Sequence, residues 1–103
     1  MVQLVTRKRI DILIDAPLSA WLAGVAEQAG IPHHSFLPVA SGRGRKGSWR
    51  DEDVSGAVSK KMFVAVAKAG QVEALVEALA PHLDDYGLVV VISTVEVVRS
   101  NRF

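Results

Sequence analysis

Apolar residues along the chain change their period from stretch to stretch. From Arg9 to Asp15 they alternate, with Ile10, Ile12 and Ile14 on one side and Asp11, Leu13 and Asp15 on the other. That period of two predicts a first, half-buried strand. Ala16-Pro17 ends it, because proline suits a first helical turn and not a strand interior. Between Pro17 and Gly30, Leu18, Trp21, Leu22, Val25, Ala26 and Ala29 recur every three or four residues and predict a helix, closed by Gly30. Ser35 to Ser41 alternates again and reads as a second strand, which Pro38 confines to an edge or a bulge.

Lys60 to Ala69 predicts a third strand, with Met62, Val64 and Val66 opposite Phe63, Ala65 and Ala67, ended by Gly70. Gln71 to Leu83 carries Val72, Leu75, Val76, Leu79 and Leu83 on one stripe and predicts a second helix, with Pro81 in its last turn. Leu88 to Val98 is apolar on both alternating sides, the pattern of a strand buried on both. The order strand, helix, strand, strand, helix, strand predicts an α+β, ferredoxin-like βαββαβ fold. It is one antiparallel four-stranded sheet with two helices on one face, in a single domain spanning residues 1–103. Two helices cover only one face, and the apolar residues on the other predict an oligomer.

The stretch from Ser41 to Ser59, SGRGRKGSWRDEDVSGAVS, carries neither period and predicts a long loop between the second and third strands. Loops of this length inside a compact domain are usually functional or disordered. It holds Gly42, Gly44 and Gly47 among Arg43, Arg45, Lys46 and Arg50, followed by Asp51, Glu52 and Asp53. Glycines let backbone N–H groups form a nest for an anion, and Arg and Lys supply charge and donors for phosphate oxygens. A solvated basic turn is the other reading of the same residues. The pattern is neither a Walker motif nor a dinucleotide fingerprint. Trp49, with no core to join, reads either as a partner contact or as packing on its own subunit.

Composition narrows the classes. The chain has 103 residues, half of them hydrophobic, a formal net charge of +1 and no cysteine. Thiolate metal sites, disulfides and a cysteine nucleophile are excluded, and no general attraction to nucleic acid or membrane is expected. No signal-like leader or spanning run is apparent, so the default is a cytoplasmic protein. His33, His34 and His82 have no spacing that completes a metal site. No nucleophile, base and orienting group are grouped, which argues against an enzyme. RNA binding would need more aromatics on the central strands than Phe63.

In their order, RIDILIDAP, AEQAGIPHHSFLPVASGRGRKG, KKMFVAVAKAGQVEALVEAL and VEVVRSNR resemble the PII-like signalling proteins over nearly the whole chain. The resemblance implies a homotrimer with a long T-loop between the second and third strands and an adenine nucleotide in each cleft between subunits. It implies that Ser35 lies near the base and that the backbone at Ala65 lines the adenine pocket. Gly42, Arg43, Gly44, Arg45, Lys46 and Gly47 would meet the phosphates, with Arg99 and Arg102 reaching the nucleotide from the adjacent chain. Trp49, Arg50 and Asp51 would then face a protein target.

Nitrogen-regulatory members carry a lysine-bearing phosphate loop where this chain has DDYGL, and they have a modified T-loop tyrosine, whereas the only tyrosine here is Tyr86. These departures disfavour ATP. They make the chain look more like the PII-like branch linked to bicarbonate transport and carboxysomes, which implies AMP or ADP, cyclic adenine nucleotides and bicarbonate as regulatory ligands. The target would be a transporter or a carbon-fixation component. The alternative within the same fold is a divalent-metal-binding trimer of the copper-tolerance type, using His33, His34 or His82. Replacing Arg45 and Lys46 is expected to weaken nucleotide binding, and replacing Trp49 to spare it.

Overall fold

The computed structural model describes residues 2–44, 47–50 and 59–98. Strand β1 (Leu4–Asp15) leads through a 3-10 turn (Ala16–Leu18) into helix α1 (Ser19–Gln28). Strands β2 (Ser35–Val39), β3 (Ser41–Gly44), β4 (Gly47–Arg50) and β5 (Lys60–Ala67) follow, then helix α2 (Ala69–Leu79), a 3-10 turn (Ala80–His82) and β6 (Val89–Val98). The main sheet has the order β2-β5-β1-β6, every pair antiparallel. This is the expected ferredoxin-like arrangement, and Pro38 does lie on an edge strand. Among the described residues, no helix is long and apolar enough to cross a membrane.

The core sits on one face of that sheet. Ile10, Ile12 and Ile14 of β1 and Phe63, Ala65 and Ala67 of β5 are buried against Leu22 and Ala26 of α1 and Val72, Leu75 and Leu79 of α2. Paired residues of antiparallel strands share a face, and the register pairs Ile10 with Ala65 and Ile12 with Phe63. Phe63 is flanked by Phe36, edge-on at 5.5 Å, and by the stacked ring of His34 at 5.1 Å.

Gln71 pins the two helices together. Its Oε1 accepts from the Lys68 backbone N–H at 3.1 Å, and its Nε2 donates to the Gly30 carbonyl at 2.9 Å. This is one half of a capping box; a lysine ammonium, having no acceptor, cannot supply the other half. Gly30 follows the end of α1 at φ +89°, as its place past the helix predicts.

Four expectations are corrected. The second strand stops at Val39, and Ser41–Gly44 and Gly47–Arg50 are not irregular loop but two antiparallel strands that form their own two-stranded sheet. Gly70 does not end the third strand; it lies in the first turn of α2, which begins at Ala69 because β5 gives way at Lys68. Pro81 ends α2 at Leu79 and tightens the next three residues into a 3-10 turn. The last strand is an edge strand and is not buried on both sides among the described residues: Val89 and Val91 on the open face are 53% and 55% exposed, and Ile92, opposite Ile10 on the helix face, is 45% exposed.

Candidate functional site

The hairpin and the end of the main sheet meet at Lys60. Strand β3 pairs with β4 in the register Ser41↔Arg50, Gly42↔Trp49, Arg43↔Ser48 and Gly44↔Gly47. Gly42 is therefore opposite Trp49, and the missing side chain matters. A Cβ on Gly42 would lie 2.3 Å from Cζ2 of the indole, far inside contact distance, so the ring covers the glycine backbone. An aromatic laid over a cross-strand glycine restores the apolar cover that glycine lacks.

The Trp49 ring also carries Lys60 Nζ, 5.1 Å from the ring centroid. The same ammonium pairs with Asp15 Oδ1 at the end of β1, directly opposite it in the register. A cation over an indole is favoured by the ring quadrupole, more so when partly desolvated. The chain of contacts Gly42, Trp49, Lys60, Asp15 thus ties the hairpin to the main sheet. The Trp49 Nε1–H is buried without a hydrogen-bond partner among the described residues.

Trp49 is accordingly half-buried on its own subunit and does not stand on an exposed tip. Gly42, expected to meet phosphate, and Trp49, expected to face a target, occupy the same rung of the ladder. Residues 42–44 are extended, so their successive N–H groups alternate in direction and do not converge in a nest. An anion here meets outward-facing backbone groups and the exposed Arg43 side chain. Arg45, Lys46, Asp51, Arg99 and Arg102 lie outside the described residues, as does the side chain of Arg50.

Ser35 and Ala65 sit at the other end of the β2–β5 ladder. Ser35 pairs with Val64 and is exposed on the face opposite the helices, while Ala65 is buried, so only its backbone can meet a ligand. The β2 ladder ends at Val64 whereas β5 runs on to Ala67, which leaves the backbone at Ala65 beyond the last β2 pair. From Ser35 to Val39, where the ladder ends beside Lys60, is about 13 Å at ~3.3 Å per residue. The two halves of the expected nucleotide site are thus not adjacent; they flank one edge of the sheet.

The turn Asp84–Gly87 closes by backbone bonds from the Tyr86 N–H to the His82 carbonyl at 3.0 Å and from the Gly87 N–H to the Asp84 carbonyl at 3.2 Å. It leaves Asp84 and Asp85 exposed. Tyr86 stacks on His82 at 5.2 Å, and both meet the edge of Trp21. The histidines are therefore not brought together: His82 belongs to this cluster, His34 to that of Phe63 and Phe36, and His33 is exposed. Among the described residues, no three His, Cys, Asp or Glu side chains form a metal-holding group.

Sequence reading missed Lys60 and Asp15. They are opposite charges at the ends of two predicted strands, a visible signal, but their pairing spans 45 residues and depends on a register that no local pattern specifies.

The comparisons agree with this architecture. CPII, a nitrogen regulatory PII-like protein from Thiomonas intermedia K12 bound to ADP, AMP and bicarbonate, superposes with a TM-score of 0.91 at 19% identity, covering 100% of this chain and 98% of that one. A PII-like signalling protein from Thermus thermophilus gives 0.84 at 17% identity, covering 98% of each chain. CutA from Synechococcus elongatus PCC7942, complexed with Bis-Tris, gives 0.69 at 14% identity, covering 97% of this chain and 93% of that one. At these identities the likeness speaks for the fold. No curated protein sequence matches the chain. The family model of the nitrogen regulatory protein P-II, however, matches residues 7–102, and the chain belongs to that family.

Proposed function

We propose that this protein is a non-enzymatic, homotrimeric regulator that binds AMP or ADP in the cleft between subunits, together with bicarbonate. Nucleotide binding sets the conformation of the Ser41–Ser59 segment and so controls a protein target in inorganic-carbon metabolism. The observation that carries this reading is that Ser35 and the Ala65 backbone lie beside an apolar sheet face that the described residues leave uncovered. A second copy docked on that face would convert an open sheet edge into a cleft. Membership of the P-II family and whole-chain likeness to CPII, which holds ADP, AMP and bicarbonate, support the choice of ligand.

In this reading Ser35 meets the base and the Ala65 backbone lines its pocket. Arg43, Arg45 and Lys46, on a chain kept slim by Gly42, Gly44 and Gly47, meet the phosphates, and Arg99 and Arg102 reach in from the neighbouring subunit. Arg50 and Asp51, with Trp49 when it is free, face the target. ATP is disfavoured because the turn at Asp84 and Asp85 offers carboxylates where a third phosphate needs a cation. The ligand acts by binding one state of the segment better than the other.

Isothermal titration with AMP, ADP, ATP and cyclic AMP, each with and without bicarbonate, tests the proposal. AMP and ADP are expected to bind more tightly than ATP, and bicarbonate to change their affinity. Absence of heat from every nucleotide would sink it.

A further inference from the structure

The contacts around Trp49 have the form of a latch. Its indole lies on the one backbone surface of β3 that only a glycine leaves open, since a Cβ at Gly42 would sit 2.3 Å from the ring. Lys60 holds the ring from the main sheet, 5.1 Å from its centroid, and Asp15 holds Lys60. The buried Trp49 N–H finds no acceptor among the described residues, so this seat is not optimised in every contact they make. Release into water restores that hydrogen bond while forfeiting the packing. A side chain bound tightly on its faces but unsatisfied at its polar atom is suited to leaving when something else takes its place.

We infer that Trp49 is an autoinhibitory latch: seated on Gly42 and clamped by Lys60, it occupies the backbone surface of the glycine strand that a phosphate-bearing ligand must approach, and ligand binding frees the indole. This rests on the nucleotide reading above and adds its regulation. The ligand and Trp49 compete for one surface, so the free chain is only fractionally competent to bind. Its apparent affinity is reduced by that fraction. The released indole beside Arg50 becomes a surface that the closed chain withholds, and tryptophan and arginine are the residues that most often anchor protein interfaces. Ligand occupancy and target exposure are then one event. The expectation that replacing Trp49 spares nucleotide binding is revised: its loss should tighten binding.

The experiment uses the full chain with Trp21→Phe, so that emission comes from Trp49 alone. Without ligand, Lys60→Met removes the clamp, and Gly42→Ala places a methyl where the ring sits; each is expected to raise acrylamide quenching of Trp49 about twofold or more. Unchanged quenching in both variants overturns the latch. With ligand, ADP should raise Trp49 quenching in the parent chain, and Trp49→Ala should bind ADP about tenfold more tightly, as expected when roughly a tenth of the free chain is open. Equal or weaker ADP binding by Trp49→Ala overturns the inference, because the indole would then be a support of the site and not its competitor. If no nucleotide binds parent or variant, the nucleotide reading fails and the inhibitory role falls with it, whereas the ligand-free arm still decides whether the clamp exists.

Discussion

The two faces of the main sheet are built from the same strands and have opposite fates. In β5, Phe63, Ala65 and Ala67 are buried under α1 and α2, while their neighbours Met62, Val64 and Val66 face the other way and are only partly covered. The register places Leu37, Val89 and Val91 on that second face, 51%, 53% and 55% exposed. Along β1 the open face carries Arg9, Asp11 and Asp15, but along β5 and β6 both faces are apolar, and there the availability of helices separates them. A face this apolar and this open is the kind of surface that a soluble chain ordinarily covers with another chain. One face therefore specifies the fold of the monomer, and the other stays open among the described residues.

Removing the centre of the covered face should have the largest effect. Phe63 is fully buried and carries the Phe36 and His34 rings, so Phe63→Ala is expected to cost about 3–5 kcal/mol. A urea titration at low protein concentration reads this as a lower midpoint with little change in slope. A cost below ~1 kcal/mol would mean that the helix-covered side is not where the monomer's stability lies.

The matching substitution on the open face is Val91→Glu. Because Val91 is more than half exposed in the single chain, monomer stability should shift by no more than about 0.5 kcal/mol. If another copy covers the face, a buried carboxylate should cost the assembly at least about 2 kcal/mol. Sedimentation or light scattering would then find the parent chain as a trimer and the variant dissociating. A variant that assembles as well as the parent would show that the contacts lie elsewhere.

The same contrast explains what was readable in the sequence. Ile10, Ile12 and Ile14 alternate with polar residues because one face of β1 is buried by the chain's own helices, and period two reports that directly. In β6 both sets are apolar, a pattern that predicts a strand buried on both sides; among the described residues nothing covers Val89 and Val91, and periodicity marks an apolar face without saying what covers it. The hairpin from Ser41 to Gly44 and Gly47 to Arg50 is held by backbone pairing and by Trp49 over Gly42. Neither depends on an apolar alternation, so its glycines and cations read as a loop. Ser35 and the Ala65 backbone were placed by family likeness, and their position at one end of a ladder with the glycines at the other follows only from the register.

A smaller effect tests how the cover is fastened. Gln71→Ala removes both the bond to the Lys68 N–H and the bridge to the Gly30 carbonyl, where α1 ends and α2 begins. Caps of this kind are worth about 0.5–2 kcal/mol. The loss should appear as a lower thermal midpoint and faster amide exchange in the first turn of α2, with assembly unchanged at concentrations where the monomer is folded. Dissociation without loss of monomer stability would instead tie this cap to the open face.

The smallest effect discriminates best, because its size should depend on whether the open face is covered. Arg9 Nε donates to Asp11 Oδ1 at 3.0 Å on that face, with the two side chains 46% and 25% exposed in the single chain. An exposed pair of this kind contributes about 0.2–1 kcal/mol, and less as salt rises. Asp11→Asn should therefore be nearly silent in a Leu37→Glu background that keeps the chain monomeric, since Leu37 lies on the same face two strands away from Asp11. In the assembled parent the same substitution would leave the Arg9 guanidinium desolvated beside a neutral amide, and the loss of a partner for a buried charge costs far more than the pair contributes in water. The measurement is the difference between the two backgrounds in urea midpoint, repeated at low and high salt. A cost that is larger and less salt-sensitive in the parent places the ion pair inside the interface. Equal costs in both backgrounds would show that no contact covers the middle of this face, where Asp11 stands between Val64 and Val91 in the register.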